Sequence, residues 1–94
     1  MLDDRSESII LDVRTDSEYQ AGHVENAILI SLHDRDFMNK ISDLDKEKTY
    51  YVYCKSGLRS SSAVRKMKKE GFSKVYNIRG GIYDLTRNGL ELVK

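Results

Sequence analysis

Short apolar runs alternate with longer polar stretches that carry apolar residues at helical spacing. Ile9, Ile10, Leu11 and Val13 form the first run, which predicts a buried strand over residues 8–13. Thr15 or Asp16 then caps a short helix with Glu18 in its first turn, ending near Ala21-Gly22. A second strand is expected over residues 27–30. A helix is expected over 33–41, with Phe37, Met38 and Ile41 on one face. Residues 42–48 are a charged connector. The strongest strand signal is residues 49–53, Thr-Tyr-Tyr-Val-Tyr. A helix opening at Arg59 or Ser60 runs to about Glu70, with Ala63, Val64 and Met67 turned inward and Gly71 ending it. A fourth strand over 74–78, a turn at Arg79-Gly80-Gly81 and a last helix over 82–87 complete the order. Strands alternating with helices predict an α/β fold with a mostly parallel sheet, in one domain spanning 1–94.

Composition narrows the function classes. Of 94 residues, 39% are hydrophobic and 33% charged, as in an ordinary soluble protein. The net charge of +1 gives no broad attraction for nucleic acid or membrane. The basic run at residues 65–69 is read as a solvated helix face, its cations near the negative end of the dipole. No apolar stretch nears the roughly 20 residues of a membrane span, and the acidic start does not resemble a signal peptide. The single cysteine cannot form an internal disulfide, which favours a reducing, cytoplasmic setting.

That cysteine carries the candidate chemistry. Cys54 ends the strand over 49–53, and Lys55-Ser56-Gly57-Leu58-Arg59-Ser60 leads into the following helix. In an open α/β sheet, ligands bind beyond the carboxyl ends of the strands. Backbone N–H groups of a loop and a first helical turn lack intrahelical partners. Curled over Cys54, they favour thiolate, the nucleophilic form, and Arg59 adds positive charge. Alternatives are a small buried hydrophobe for Cys54 and a plain cap cluster for the serines. A Walker-type phosphate loop is excluded because no Gly-Lys-Ser/Thr follows. One cysteine and two distant histidines make no zinc set, and no metal or cofactor is expected.

Three segments together resemble the single-domain rhodanese family of sulfurtransferases. They are residues 11–24 with their Asp-Val-Arg, Glu-Tyr and Gly-His elements, the loop 54–60, and Gly80-Gly81 after a strand. The resemblance covers nearly the whole chain from residue 9 and implies a rhodanese-like fold. Cys54 through Arg59 makes a six-residue loop, which in this family goes with sulfur transfer. Relatives with one residue more resemble phosphatases of the Cdc25 type and arsenate reductases. Set against the family pattern, the chain's N-terminus looks shortened, which is expected to leave one sheet edge bare. The chain also departs at Val24-Glu25-Asn26 and at Leu85, where the family often has tryptophan.

The resemblance implies two-step transfer. Cys54 takes the outer sulfur of a donor such as thiosulfate or a persulfide, then passes it to a thiol or carrier-protein acceptor. Backbone N–H groups from Lys55 to Ser60 are expected to stabilise the anionic sulfur. Arg59 is expected to hold the loop. Lys55 is balanced between attracting the donor and facing water. Asp12, Arg14 and Glu18 are expected as scaffold, Asp12 near the loop and Arg14 paired with Glu18. Gly80 and Gly81 shape the turn beside the site. His23 is assigned to packing ahead of a dyad with Cys54. The competing class is a binding or regulatory module of the same fold, with a phosphatase or arsenate reductase behind it.

Overall fold

The computed structural model describes residues 8–55 and 57–94. The elements follow as β1 Ser8–Asp12, α1 Asp16–Ala21, β2 Ile28–Leu29, α2 Phe37–Ser42, β3 Thr49–Tyr53, α3 Leu58–Lys69, β4 Val75–Asn77 and α4 Gly81–Arg87. The strands form one parallel sheet in the order β2-β1-β3-β4. Strand order reverses between β1 and β3, so a crevice is expected where their carboxyl ends meet. Asp12, Tyr53 and Asn77 are the last residues of β1, β3 and β4. The chemistry-bearing residues therefore gather along one rim of the sheet.

Side-chain alternation along the strands builds a core on each face. Leu11, Val13, Tyr50, Val52 and Cys54 pack on one side against Phe37 and Ile41 of α2 and Ala63, Val64 and Met67 of α3. Ile10 and Tyr53 face the other side with Val24, Ala27 and Ile82 of α4. Burial of the α3 stripe follows its 3.6-residue spacing. The chain's last residues return across this layer, where His23 and Val93 exchange backbone hydrogen bonds of 2.9 and 2.8 Å.

Local chemistry explains the boundaries. Thr15 and Glu18 form a reciprocal capping box that starts α1. The helix expected over 33–41 begins only at Phe37. Ser31 Oγ accepts from His33 N–H, and Phe37 N–H donates to Asp34 carbonyl oxygen, so residues 31–36 form turns. The start of α3 lies at Leu58, one residue before the earlier expected position, because Gly57 in left-handed backbone (φ 102°) supplies the cap. The N-terminal stretch, where a shortening is expected, lies largely outside the described residues. Among the described residues no helix is long and apolar enough to cross a membrane.

Candidate active site

The sulfur of Cys54 sits just past the end of β3 and is almost fully enclosed, with the residue 1% exposed. The loop bends back over it. Gly57 N–H donates to Sγ at 3.0 Å and Ser60 N–H at 3.3 Å. Donors aimed at a sulfur stabilise the anion and offset the cost of burying it. Among the described residues, Gly57 and Ser60 supply the amides that reach Sγ. Ser56 lies outside the described residues. Leu58 is 81% exposed at the rim. Lys55 is also exposed, its Nζ lying 5.8 Å from the centre of the Tyr83 ring.

The loop is fastened to α4 through backbone. Ile82 N–H donates to Cys54 carbonyl oxygen at 2.8 Å, and Tyr83 N–H to Lys55 carbonyl oxygen at 3.4 Å. These are first-turn donors of α4 without helical partners, and the loop carbonyls satisfy them. Such close approach requires glycine. A Cβ on Gly81 would lie 2.3 Å from the Cys54 carbonyl oxygen, and one on Gly57 would lie 3.2 Å from Gly80 N.

Charged groups support the loop from its flank. Arg59 meets Glu18 of α1 through two hydrogen bonds, 2.9 and 3.1 Å. Arg59 holds the Glu18 carboxyl down at about 2, well below the usual range. The same pair raises the Arg59 guanidinium, whose charge also acts on Cys54. The expected Arg14–Glu18 pair is therefore corrected. Arg14 instead grips Asp12, with Nη2 to Oδ2 at 2.7 Å, and donates to Gly22 carbonyl oxygen. Both residues of that pair are buried, and Glu18 is turned toward α3 by its capping role. Asp12 also accepts from Tyr53 hydroxyl at 2.7 Å, and Tyr53 precedes the nucleophile in the chain. Asp12 thus reaches the loop region through the β3 strand end. Burial, first of all, pushes the Tyr53 phenol up.

The rhodanese-like domain family matches residues 1–88. The chain belongs to that family. As a rhodanese-like chain it is 32% identical over 92 residues to a sulfurtransferase of Allochromatium vinosum, covering 98% of this chain and 84% of that protein. It is 37% identical over 91 residues to a tRNA uridine(34) hydroxylase of Cytophaga hutchinsonii, covering 92% of this chain. It spans only 29% of that enzyme's length. The fold matches a rhodanese-related protein from Thermoplasma volcanium with TM-score 0.83 and 30% identity, over 94% of this chain and 85% of the other. A rhodanese-like domain from Anabaena gives TM-score 0.83 at 30% identity, over 92% and 98%.

Within this rhodanese-like site, His23 is engaged elsewhere. Its ring stacks on Tyr19 at 3.7 Å and its Nδ1 lies 2.9 Å from Tyr19 carbonyl oxygen. Two participants escaped the sequence analysis. Tyr53 joins Asp12 to the backbone N–H of Val24. Asn77 accepts from the Ser60 hydroxyl at 2.5 Å and donates to Gly57 carbonyl oxygen at 3.4 Å. The position of Asn77, a polar residue ending a parallel strand beside the Cys54 strand, is the signal that could have found it.

Proposed function

We propose that the chain is a sulfurtransferase that carries a sulfane sulfur on Cys54 from thiosulfate or a persulfide to a thiol or carrier-protein acceptor. The observation that carries this is the Cys54 sulfur held under the Gly57 and Ser60 amides at the carboxyl end of β3. With thiosulfate, the Cys54 thiolate attacks the outer sulfur and forms a new S–S bond. The bond from that sulfur to the sulfonate breaks, and sulfite leaves with its electron pair. The acceptor thiolate then attacks the outer sulfur of the Cys54 persulfide, and Cys54 leaves as thiolate. The amides stabilise negative sulfur at both ends of the cycle without reorganising. A single cysteine working as a thiolate fits a reducing compartment such as the cytoplasm.

Intact mass before and after thiosulfate tests this reading. A gain of one sulfur atom, removed by cyanide and absent in Cys54→Ser, is expected. No gain with thiosulfate or with polysulfide would refute it.

A second reading rests on the 37% identity to the uridine hydroxylase. In it, this domain would serve tRNA uridine oxidation as one part of a longer enzyme. Hydroxylated uridine in tRNA incubated with the protein, detected by nucleoside mass spectrometry, would favour it.

A further inference from the structure

The Ser60 side chain lies between Cys54 and Asn77. It is fully buried, with Oγ 3.5 Å from Cys54 Sγ on one side and 2.5 Å from Asn77 Oδ1 on the other. An amide oxygen carries no proton, so the Ser60 hydroxyl must be the donor in the bond to Asn77. The amide is oriented by its other end, because Asn77 Nδ2 donates to Gly57 carbonyl oxygen. The one hydroxyl proton is thereby committed away from sulfur, and Ser60 Oγ presents lone pairs to Cys54. That arrangement accepts a hydrogen bond from the thiol S–H and gives nothing to the thiolate. It works against the Gly57 and Ser60 amides, which favour the thiolate.

We propose that Asn77 is a positioning residue that withholds the Ser60 hydroxyl proton from Cys54 and so sets how readily the thiol ionises. Removing the Asn77 acceptor frees the hydroxyl to turn and donate to the thiolate. The other charged groups around the sulfur stay in place. They are Arg59 of α3 with its partner Glu18 of α1, Lys55 of the loop over Tyr83, and Asp84 of α4 beside Gly80. On the sulfurtransferase reading, this contact keeps Cys54 a stronger nucleophile toward the donor and a slower leaving group toward the acceptor.

Thiolate ultraviolet absorbance against pH measures the ionisation directly. The Cys54→Ser spectrum is subtracted, because the chain has one cysteine. Asn77→Leu should lower the Cys54 pKa by about one unit, about tenfold in thiolate fraction at a pH below it. Asn77→Asp should raise it. Loss of the Asn77–Gly57 bond could also move the loop, so both substitutions are repeated in Ser60→Ala. There the lowering by Asn77→Leu should vanish. An unchanged or raised pKa in Asn77→Leu, or an equal lowering in Ser60→Ala, would overturn the proposal. Circular dichroism identifies a variant that has not folded, and Asn77→Ala then replaces Asn77→Leu under the same criteria. The titration needs no sulfur donor, so its result stands apart from whether the protein transfers sulfur.

Discussion

Replacing Gly81 with alanine should destabilise the protein by about 3 kcal/mol and disable the loop. Gly81 has φ +56°, where a side chain costs about 1–2 kcal/mol. The added Cβ would lie 2.3 Å from the Cys54 carbonyl oxygen and 2.7 Å from the Lys55 carbonyl carbon and oxygen. Backbone on both sides of that contact has to part. Doing so breaks the 2.8 Å bond from Ile82 N–H to Cys54 carbonyl oxygen, worth about 1 kcal/mol, and the longer one from Tyr83 N–H. A chain of this length has a total stability of about 5–14 kcal/mol, so the variant folds but is weakened. Urea denaturation measures the difference, and the Tm should fall by about 15–20 °C. Gly89→Ala is the control. Gly89 has φ +100°, at least as unfavourable for a side chain, yet nothing lies within 4 Å of its Cβ position. It should cost only the backbone strain, about 1–2 kcal/mol. Equal destabilisation by the two substitutions would refute the view that Gly81 is required by close approach to the loop.

Three further outcomes are expected. Glu18→Gln should remove an acid-sensitive part of stability. The depressed Glu18 contributes fully above its ordinary pKa of about 4.5 and loses that contribution as pH falls toward about 2. With the side chain 27% exposed, solvent screening leaves about 1–2 kcal/mol, and urea titrations at pH 6 and pH 3 should show the gap narrowing. An unchanged gap would count against the Arg59–Glu18 clamp. Tyr53→Phe should cost about 2–3 kcal/mol in denaturation, because the Val24 N–H and one Asp12 oxygen each lose a buried partner. A loss below about 1 kcal/mol would show those groups find others. On the sulfurtransferase reading, Lys55→Ala should raise the KM for thiosulfate about 2–5-fold with kcat kept, as loss of one exposed cation predicts. An unchanged KM would remove Lys55 from donor attraction.

What was legible in the sequence is what local chemistry decides. The strand over 49–53 is legible to the residue, because its aromatic and β-branched run stands between the charged connector ending at Lys48 and the Gly-bearing loop after Cys54. The capping of α1 followed from Thr15 and Glu18 three residues apart. The Gly-bearing loop between β3 and α3 placed Cys54 at the sheet rim. Partner choice across elements was not legible. Arg14 lies two residues from Asp12 and four from Glu18, within side-chain reach of either, and only the fold shows Asp12 buried beneath it while Glu18 faces Arg59. Asn77 went unnoticed for the same reason: seventeen positions separate it from Ser60, and they meet only because β4 pairs with β3 and α3 packs beside β4. The late start of α2 reflects a serine turn that competes with helix and leaves no mark in the apolar spacing.

Because main-chain atoms of Gly57, Ser60, Ile82 and Tyr83 fasten the loop, its shape is separable from the side chains at its mouth. Lys55, Leu58 and Tyr83 point outward there and hold none of those bonds through their side chains. The rim is therefore a surface on which recognition can be rewritten while the sulfur pocket is inherited intact. On the sulfurtransferase reading, a library confined to these three positions would retarget the protein to new acceptors at little cost in folding.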